Sequence, residues 1–124
     1  MNREKIAARL LVLARELLAA NLKREAIKYA EEVLDNLQRK LGSQFDDLIA
    51  NDPKKIQYSV VTVLAALGRK GRNVNYGKYK PFMPRSFDSE FPDWWYDLTD
   101  AKQFTVVREA MVRKYGVDRG SLTK

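Results

Sequence analysis

Residues 52–68 read DPKKIQYSVVTVLAALG, and this stretch decides the fold class of the chain. Asp52 before Pro53 is a typical helix start, because proline at the first helical position lacks only a donor that would have no partner there. Positions 56–67 are apolar nearly all round, which predicts a helix at the centre of a bundle. The β-branched run at 60–63 would also suit a buried strand. We favour a helix, because the Asp-Pro start and the closing glycine are helix boundaries.

Two amphipathic segments precede this central helix. Their apolar side chains recur at alternating spacings of three and four, which is the helical period. The first stripe consists of Ile6, Leu10, Leu13 and Leu17, and the second of Ile27, Ala30, Leu34, Leu37 and Leu41. Asn21 suits both the end of one helix and the start of the next, so a turn there would make a helical hairpin.

Helix boundaries are also readable on either side of the central helix. Gly42 predicts the end of the second helix, and Ser43 would cap a short helical turn with Asp46 as its acidic partner. Near the other end of the chain, Thr99 or Asp100 caps a last helix that ends at Gly116.

These elements predict an all-α protein, a small helical bundle of four main helices. Residues 1–116 form a single helical domain, which fits the usual size of one core. A long basic loop, rich in glycine, proline and aromatic residues, precedes the last helix. Residues 117–124 are predicted to be a flexible C-terminal tail.

The composition restricts the chemistry of the chain. Its 124 residues include no cysteine and no histidine, and they carry a net charge of +7. Cysteine-ligated metals and thiolate nucleophiles are therefore excluded, and the commonest general base is absent. Paired carboxylates such as Asp93 and Asp97 lack a third ligand or a phosphate-binding glycine loop. We expect no catalytic site, no metal site and no cofactor, so the protein is predicted not to be an enzyme.

Positive charge is concentrated in residues 68–85, which hold six cationic side chains, no acid and three aromatic rings. Such a segment can neutralise phosphates and stack on unpaired bases. The predicted nucleic-acid-binding residues are Arg69, Lys70, Arg72, Tyr76, Lys78, Tyr79, Lys80 and Arg85. Two other interpretations stay open: a solvated connector whose rings pack back onto the bundle, and a loop neutralised by the acidic residues of 86–100.

The following acidic run contains five aromatic rings within ten residues, at 87–96. Aromatic rings bury large areas, so some of them are expected to seal the bundle, with Trp94 or Trp95 as the core residue. The alternative is a protein-docking patch, because tryptophan and tyrosine are enriched in interface hot spots. The predicted protein-interaction residues are Phe91, Trp94, Trp95 and Tyr96.

The N-terminal sequence MNREKIAARLLVLARELLA, residues 1–19, contains an Ile-Ala/Leu-Ala-Arg-Glu-Leu pattern. It resembles the first helix of many small uncharacterised proteins of large tailed bacteriophages. The resemblance covers about a sixth of the chain and implies a viral accessory or virion component made in a bacterial cytoplasm. It transfers no active-site residue.

No apolar run approaches the roughly 18 residues needed to span a bilayer, so we expect no membrane partner. The absence of cysteine fits a reducing compartment, and the composition as a whole predicts a non-enzymatic, cytoplasmic binding protein. Its leading partner is RNA or single-stranded DNA, contacted through the basic aromatic loop. The alternative is a protein-protein interaction module, either an inhibitor of a host factor or a structural component, that docks through the acidic aromatic patch.

Overall fold

The computed structural model describes residues 2–68, 76–87, 94–95 and 98–124, with only the backbone at 16–20, 68 and 76. Its helices are α1 (Arg3–Leu41), α2 (Ser43–Asn51), α3 (Pro53–Gly68), α4 (Tyr76–Tyr79) and α5 (Asp100–Tyr115). Two 3₁₀ turns, Lys80–Phe82 and Arg119–Ser121, complete the regular structure. No strand occurs within these described ranges, so the all-α prediction is confirmed.

The first two predicted helices form one continuous helix, so the predicted hairpin at Asn21 is wrong. α1 has 39 residues and is about 58 Å long at 1.5 Å per residue. The side chain of Asn21 accepts a hydrogen bond from Arg24, one turn further along, and does not cap a helix end. Asparagine lowers helix propensity by less than about 1 kcal/mol, so without glycine or proline nearby the helix continues.

The junctions between the helices follow the boundary residues. Gly42 adopts φ 58°, a conformation that favours glycine, and its N–H bonds to the carbonyl of Gln38 at 2.9 Å. Gly42 also occupies the capping position of α2 and makes no side-chain hydrogen bond there, while Ser43 is already the first helical residue. The prediction that Ser43 caps this helix is therefore wrong. α3 begins at Pro53, and Thr99 caps α5 by accepting from the N–H of Lys102, as predicted.

α3 packs against α1, α2, α4 and α5, which is the central position that its sequence predicts. Its apolar side chains meet the C-terminal half of α1 and the inner face of α5. The fully buried side chains of largest volume are Trp95, Phe45, Leu34, Ile56, Leu64, Leu67, Met111, Gln57, Val33, Val60 and Val107. Among the described residues, two polar side chains, Gln57 and Gln103, are buried in this largely apolar core.

Gln57 holds the C-terminal segment against the bundle. Its amide nitrogen donates to the carbonyls of Phe104 and Thr123, both at 2.9 Å, and its amide oxygen accepts from the N–H of Thr123 at 2.8 Å. Leu122 beside it is 4% exposed and belongs to the core. Leu122 and Thr123 are therefore held against the bundle, while the predicted flexibility of residues 117–124 as a whole stays a prediction.

The N-terminal arm, defined as residues 3–15 of α1, extends beyond this core. Every side chain in the arm is exposed, including Ile6 at 40%, Leu10 at 62% and Leu13 at 48%. Ile6, Leu10 and Leu13 belong to the apolar stripe of the first predicted helix. These three side chains are exposed in the structure, and the buried part of α1 begins near Ala26.

Candidate nucleic-acid interface

The cationic strap, defined as residues 76–87, lies along the outer side of α1 and α3. α4 packs on α3, and the following 3₁₀ turn packs on α1. Asn36 donates from its amide nitrogen to the carbonyls of Phe82 at 3.0 Å and Met83 at 3.4 Å. Tyr29 donates from its hydroxyl to the carbonyl of Ser86 at 2.9 Å. Two side chains of α1 therefore fix the path of the strap.

Aromatic side chains of the strap turn towards the bundle. Tyr79 and Phe82 are half-buried and pack against the core. Phe87 meets the ring of Tyr29 edge-on, with the ring centroids 5.9 Å apart. This arrangement matches the open alternative in which the rings pack back onto the bundle. Because Tyr79 is only half-buried, its predicted role in nucleic-acid binding stays a prediction, and the side chain of Tyr76 lies outside the described residues.

Cationic side chains of the strap point outward. Lys78, Lys80 and Arg85 are exposed. Within the part of the chain that the structure describes, no carboxylate forms an ion pair with any of them. The Nζ atom of Lys78 lies 5.7 Å from the centre of the Tyr79 ring, a cation–π contact with a neutral group that leaves the net positive charge unchanged. These three predicted site residues thus present positive charge to solvent.

Several predicted residues lie outside the described residues and keep their status as predictions. They are the cations Arg69, Lys70 and Arg72, the aromatic residues Phe91 and Tyr96, and the carboxylates Asp88, Glu90, Asp93 and Asp97. The proposed neutralisation of the basic loop by its acidic neighbour depends on those carboxylates.

Two cations that the sequence analysis did not select adjoin the strap. Arg39 and Lys40, in the last turn of α1, border a shallow hollow of about 350 Å³ together with Pro81 and Phe82. Both cations are exposed and form no ion pair with a described residue. Basic residues in the last turn of a helix commonly complement the helix dipole. The sequence alone therefore does not indicate that Arg39 and Lys40 lie beside residues about 40 positions away.

Several basic residues of the C-terminal region, unlike those of the strap, form ion pairs with carboxylates of the described residues. Lys114 pairs with Asp35 at 2.7 Å, and Arg113 lies 4.0 Å from Glu31, so both link α5 to α1. Arg119 bonds to Glu109, and this hydrogen bond lowers the pKa of the Glu109 carboxyl below its ordinary value of 4.5. These cations are compensated within the protein, so they add little to an outward positive potential.

The two tryptophans of the proposed docking patch have different environments. Trp95 is fully buried in the core, and its carbonyl accepts from Gln103 at 2.9 Å. It cannot present its ring to a partner, so its place among the docking residues is corrected. Trp94 is half-buried, and its ring meets Trp95 at a centroid distance of 6.4 Å. A groove of about 480 Å³ is lined by Leu22, Lys23, Ala26, Trp94, Leu98, Lys102, Thr105 and Val106.

Comparison of the chain with protein-family models, with curated proteins and with solved structures finds no match. The resemblance of residues 1–19 to bacteriophage proteins stays a prediction. Across the described ranges, no helix is both long enough and apolar enough to cross a membrane. The cytoplasmic location likewise stays a prediction.

Proposed function

We propose that the protein is a non-enzymatic binding protein that contacts RNA or single-stranded DNA through the cationic face. This face consists of Lys78, Lys80 and Arg85 on the strap and Arg39 and Lys40 on the last turn of α1. The observation that carries the proposal is that these five side chains are exposed and that none forms an ion pair with a described carboxylate. The hydrogen bond from Arg39 goes to the neutral side chain of Asn36. Unpaired cations on one surface attract a polyanion, whereas compensated cations do not.

The environment of the aromatic rings changes the expected source of affinity. Tyr79 and Phe82 pack on the core, so phosphate contacts supply the affinity in place of base stacking. Five phosphate contacts on a single strand give a slope of log affinity against log salt of about −3.5. Because phosphates are common to every sequence, binding through this face is expected to show little sequence preference.

The strap also lowers the cost of binding. Bonds from Asn36 and Tyr29 fix its backbone before any partner arrives. A segment that is already ordered loses less conformational entropy on binding than an unstructured loop would. The proposal therefore predicts that loosening the strap weakens binding, even though neither of these two side chains is a cation.

Fluorescence anisotropy with labelled single-stranded RNA and DNA tests the proposal across a series of salt concentrations. Lys78→Glu with Lys80→Glu is expected to weaken binding by roughly 30-fold or more at low salt, because two contacts of about 1 kcal/mol each are lost. The double variant should also make the salt slope shallower by about 1.4.

The matched control is Lys54→Glu with Lys55→Glu on the first turn of α3. Both lysines are exposed and unpaired among the described residues, and the change in net charge is identical. Because distant charges are screened, this control should weaken binding by no more than about threefold near physiological salt. Equal losses in the two double variants, or no binding by the wild type at low salt, would contradict the proposal.

A protein-interaction module is the second candidate, favoured by the groove beside Trp94. Its lining is mainly apolar, and Lys23 and Lys102 stand at its border. A partner segment with an apolar side chain and flanking acids would complement such a groove. This candidate predicts binding that survives the salt concentration at which RNA dissociates and that fails in Trp94→Ala.

A further inference from the structure

The N-terminal arm carries an apolar face that nothing in the described structure covers. Ile6, Leu10 and Leu13 follow one another at spacings of four and three, so they lie along one side of the helix. Their exposed fractions are 40%, 62% and 48%. An aliphatic stripe left in water on a helix about 20 Å long is a surface whose burial would stabilise a complex.

This stripe does not continue the core-facing side of α1. At 100° per residue, the stripe is centred roughly 130° around the helix from the side that carries Ala26, Ala30 and Leu34. Those three residues are fully buried against the bundle. The apolar side of the arm therefore faces away from the core, where a broad external surface can reach it.

Cations border the stripe on both sides. On the helical wheel, Arg9 lies about 40° beyond Leu13, and Arg3 lies about 20° beyond Leu10 on the opposite edge. The described part of the arm holds four cations, Arg3, Lys5, Arg9 and Arg15, against the single acid Glu4. All of these side chains are exposed and unpaired among the described residues.

We propose that the N-terminal arm lies in the interface of an anionic lipid membrane, with Ile6, Leu10 and Leu13 among the acyl chains. Cations at both edges of an apolar helical face reach the headgroup level while their aliphatic stems stay against the lipid. The arm is a peripheral anchor, which departs from the sequence-based expectation of no membrane partner. It is separate from the cationic face proposed above for nucleic acid.

Charge and apolar character together favour a membrane over a second copy of the chain or nucleic acid as the cover of the stripe. A second copy of the chain would bring two arms of the same positive sign together, which is repulsive. Nucleic acid offers phosphates but no apolar phase into which aliphatic side chains could be transferred from water. An anionic bilayer supplies both the negative surface and the apolar phase.

Cosedimentation of the full-length protein with extruded vesicles tests this proposal. Vesicles of phosphatidylglycerol and phosphatidylcholine in equal parts are expected to bind at least about tenfold more protein than pure phosphatidylcholine, given the net positive charge of the arm. Arg3→Gln with Arg9→Gln should weaken binding to the anionic vesicles roughly 25-fold, since each charge near the surface contributes about a factor of five.

Leu10→Asn and Val12→Asn form a matched pair on the same helix. Their positions are separated by about 200° of rotation, and Val12 is 52% exposed on the cationic side. Leu10→Asn should weaken vesicle binding at least about tenfold, because it removes one inserted side chain. Val12→Asn should change it by no more than about twofold, since that side chain stays in water.

Equal effects of the two asparagine variants would overturn the proposal, as would equal binding to anionic and neutral vesicles. So would failure of the wild type to bind anionic vesicles. Sedimentation equilibrium without lipid covers the remaining alternative: a dimer that Leu10→Asn dissociates would mean that a second copy covers the stripe. RNA binding should be unchanged in Leu10→Asn, which would show that vesicle binding by the arm and nucleic-acid binding by the cationic face are independent of each other.

Discussion

Replacing Gln57 with leucine should separate the C-terminal segment from the bundle. The side chain is completely buried and makes three hydrogen bonds, at 2.8, 2.9 and 2.9 Å, two of them to Thr123. Leucine fills a similar volume, so no large cavity forms. The N–H and carbonyl of Thr123 would lose their partner inside the protein, and leaving them unpaired there is costly.

The expected loss of unfolding free energy is about 3 kcal/mol. Three hydrogen bonds contribute roughly 1 kcal/mol each to net stability. Detachment of the segment would add about 1.5 to 3 kcal/mol through exposure of Leu122, while burial of the new leucine offsets a similar amount. Once the C-terminal segment detaches, the unpaired groups of Thr123 can bond to water. The loss of unfolding free energy therefore cannot exceed the stability that docking of the segment on the bundle provides.

Urea unfolding measures this change, and amide hydrogen exchange locates it. In Gln57→Leu the amide of Thr123 should exchange at the rate of an unprotected peptide, while amides in the middle of α3 keep most of their protection. Gln44→Leu provides the matched control, because Gln44 is exposed on α2 and its replacement should change stability by less than about 0.5 kcal/mol. A loss below about 1 kcal/mol with Thr123 still protected would refute the reasoning.

Three further predictions follow from the burial and charge of individual side chains. Trp95→Ala should lower the unfolding free energy by about 3 to 5 kcal/mol in urea titrations, and half-buried Trp94→Ala by clearly less. Burial raises the pKa of Tyr115 to about 12 from 10.0, so the folded state holds this proton more tightly and stability should fall as pH rises between those values. Tyr115→Phe should lack that part of the alkaline loss in pH-dependent thermal melts. The Arg119 hydrogen bond lowers the pKa of Glu109, so its stabilisation is present above pH 4.5 and is lost as pH falls below it. Acid titration of Arg119→Ala should show a smaller loss; an unchanged profile would count against that role.

Local signals in the sequence predicted several elements correctly. Asp52 and Pro53 mark the start of α3, and Thr99 and Gly116 mark the ends of α5, because caps and left-handed residues act within a single turn. Asn21 misled the prediction because its side chain can cap a helix or sit within one, and local sequence does not distinguish these uses. The result is one long α1 instead of two antiparallel helices.

Residues of the candidate site were predictable in part for the same reason. Lys78 and Lys80 belong to a dense run of cations, and such runs are visible in a sequence. Arg39 and Lys40 join them only because Asn36 ties the strap to the end of α1. Trp95 and Trp94 are neighbours in the chain with the same chemistry, yet only packing decides which ring enters the core.

By itself, the sequence determined the helical class, the apolar centre at α3 and the uneven distribution of charge. These properties depend on periodicity and composition over one or a few turns. Only the tertiary structure decided which cations stay exposed, that Gln57 binds the C-terminal segment, and that the stripe of the N-terminal arm lies outside the core. Each of these depends on contacts between residues far apart in the chain, and such contacts have no local signature in the sequence.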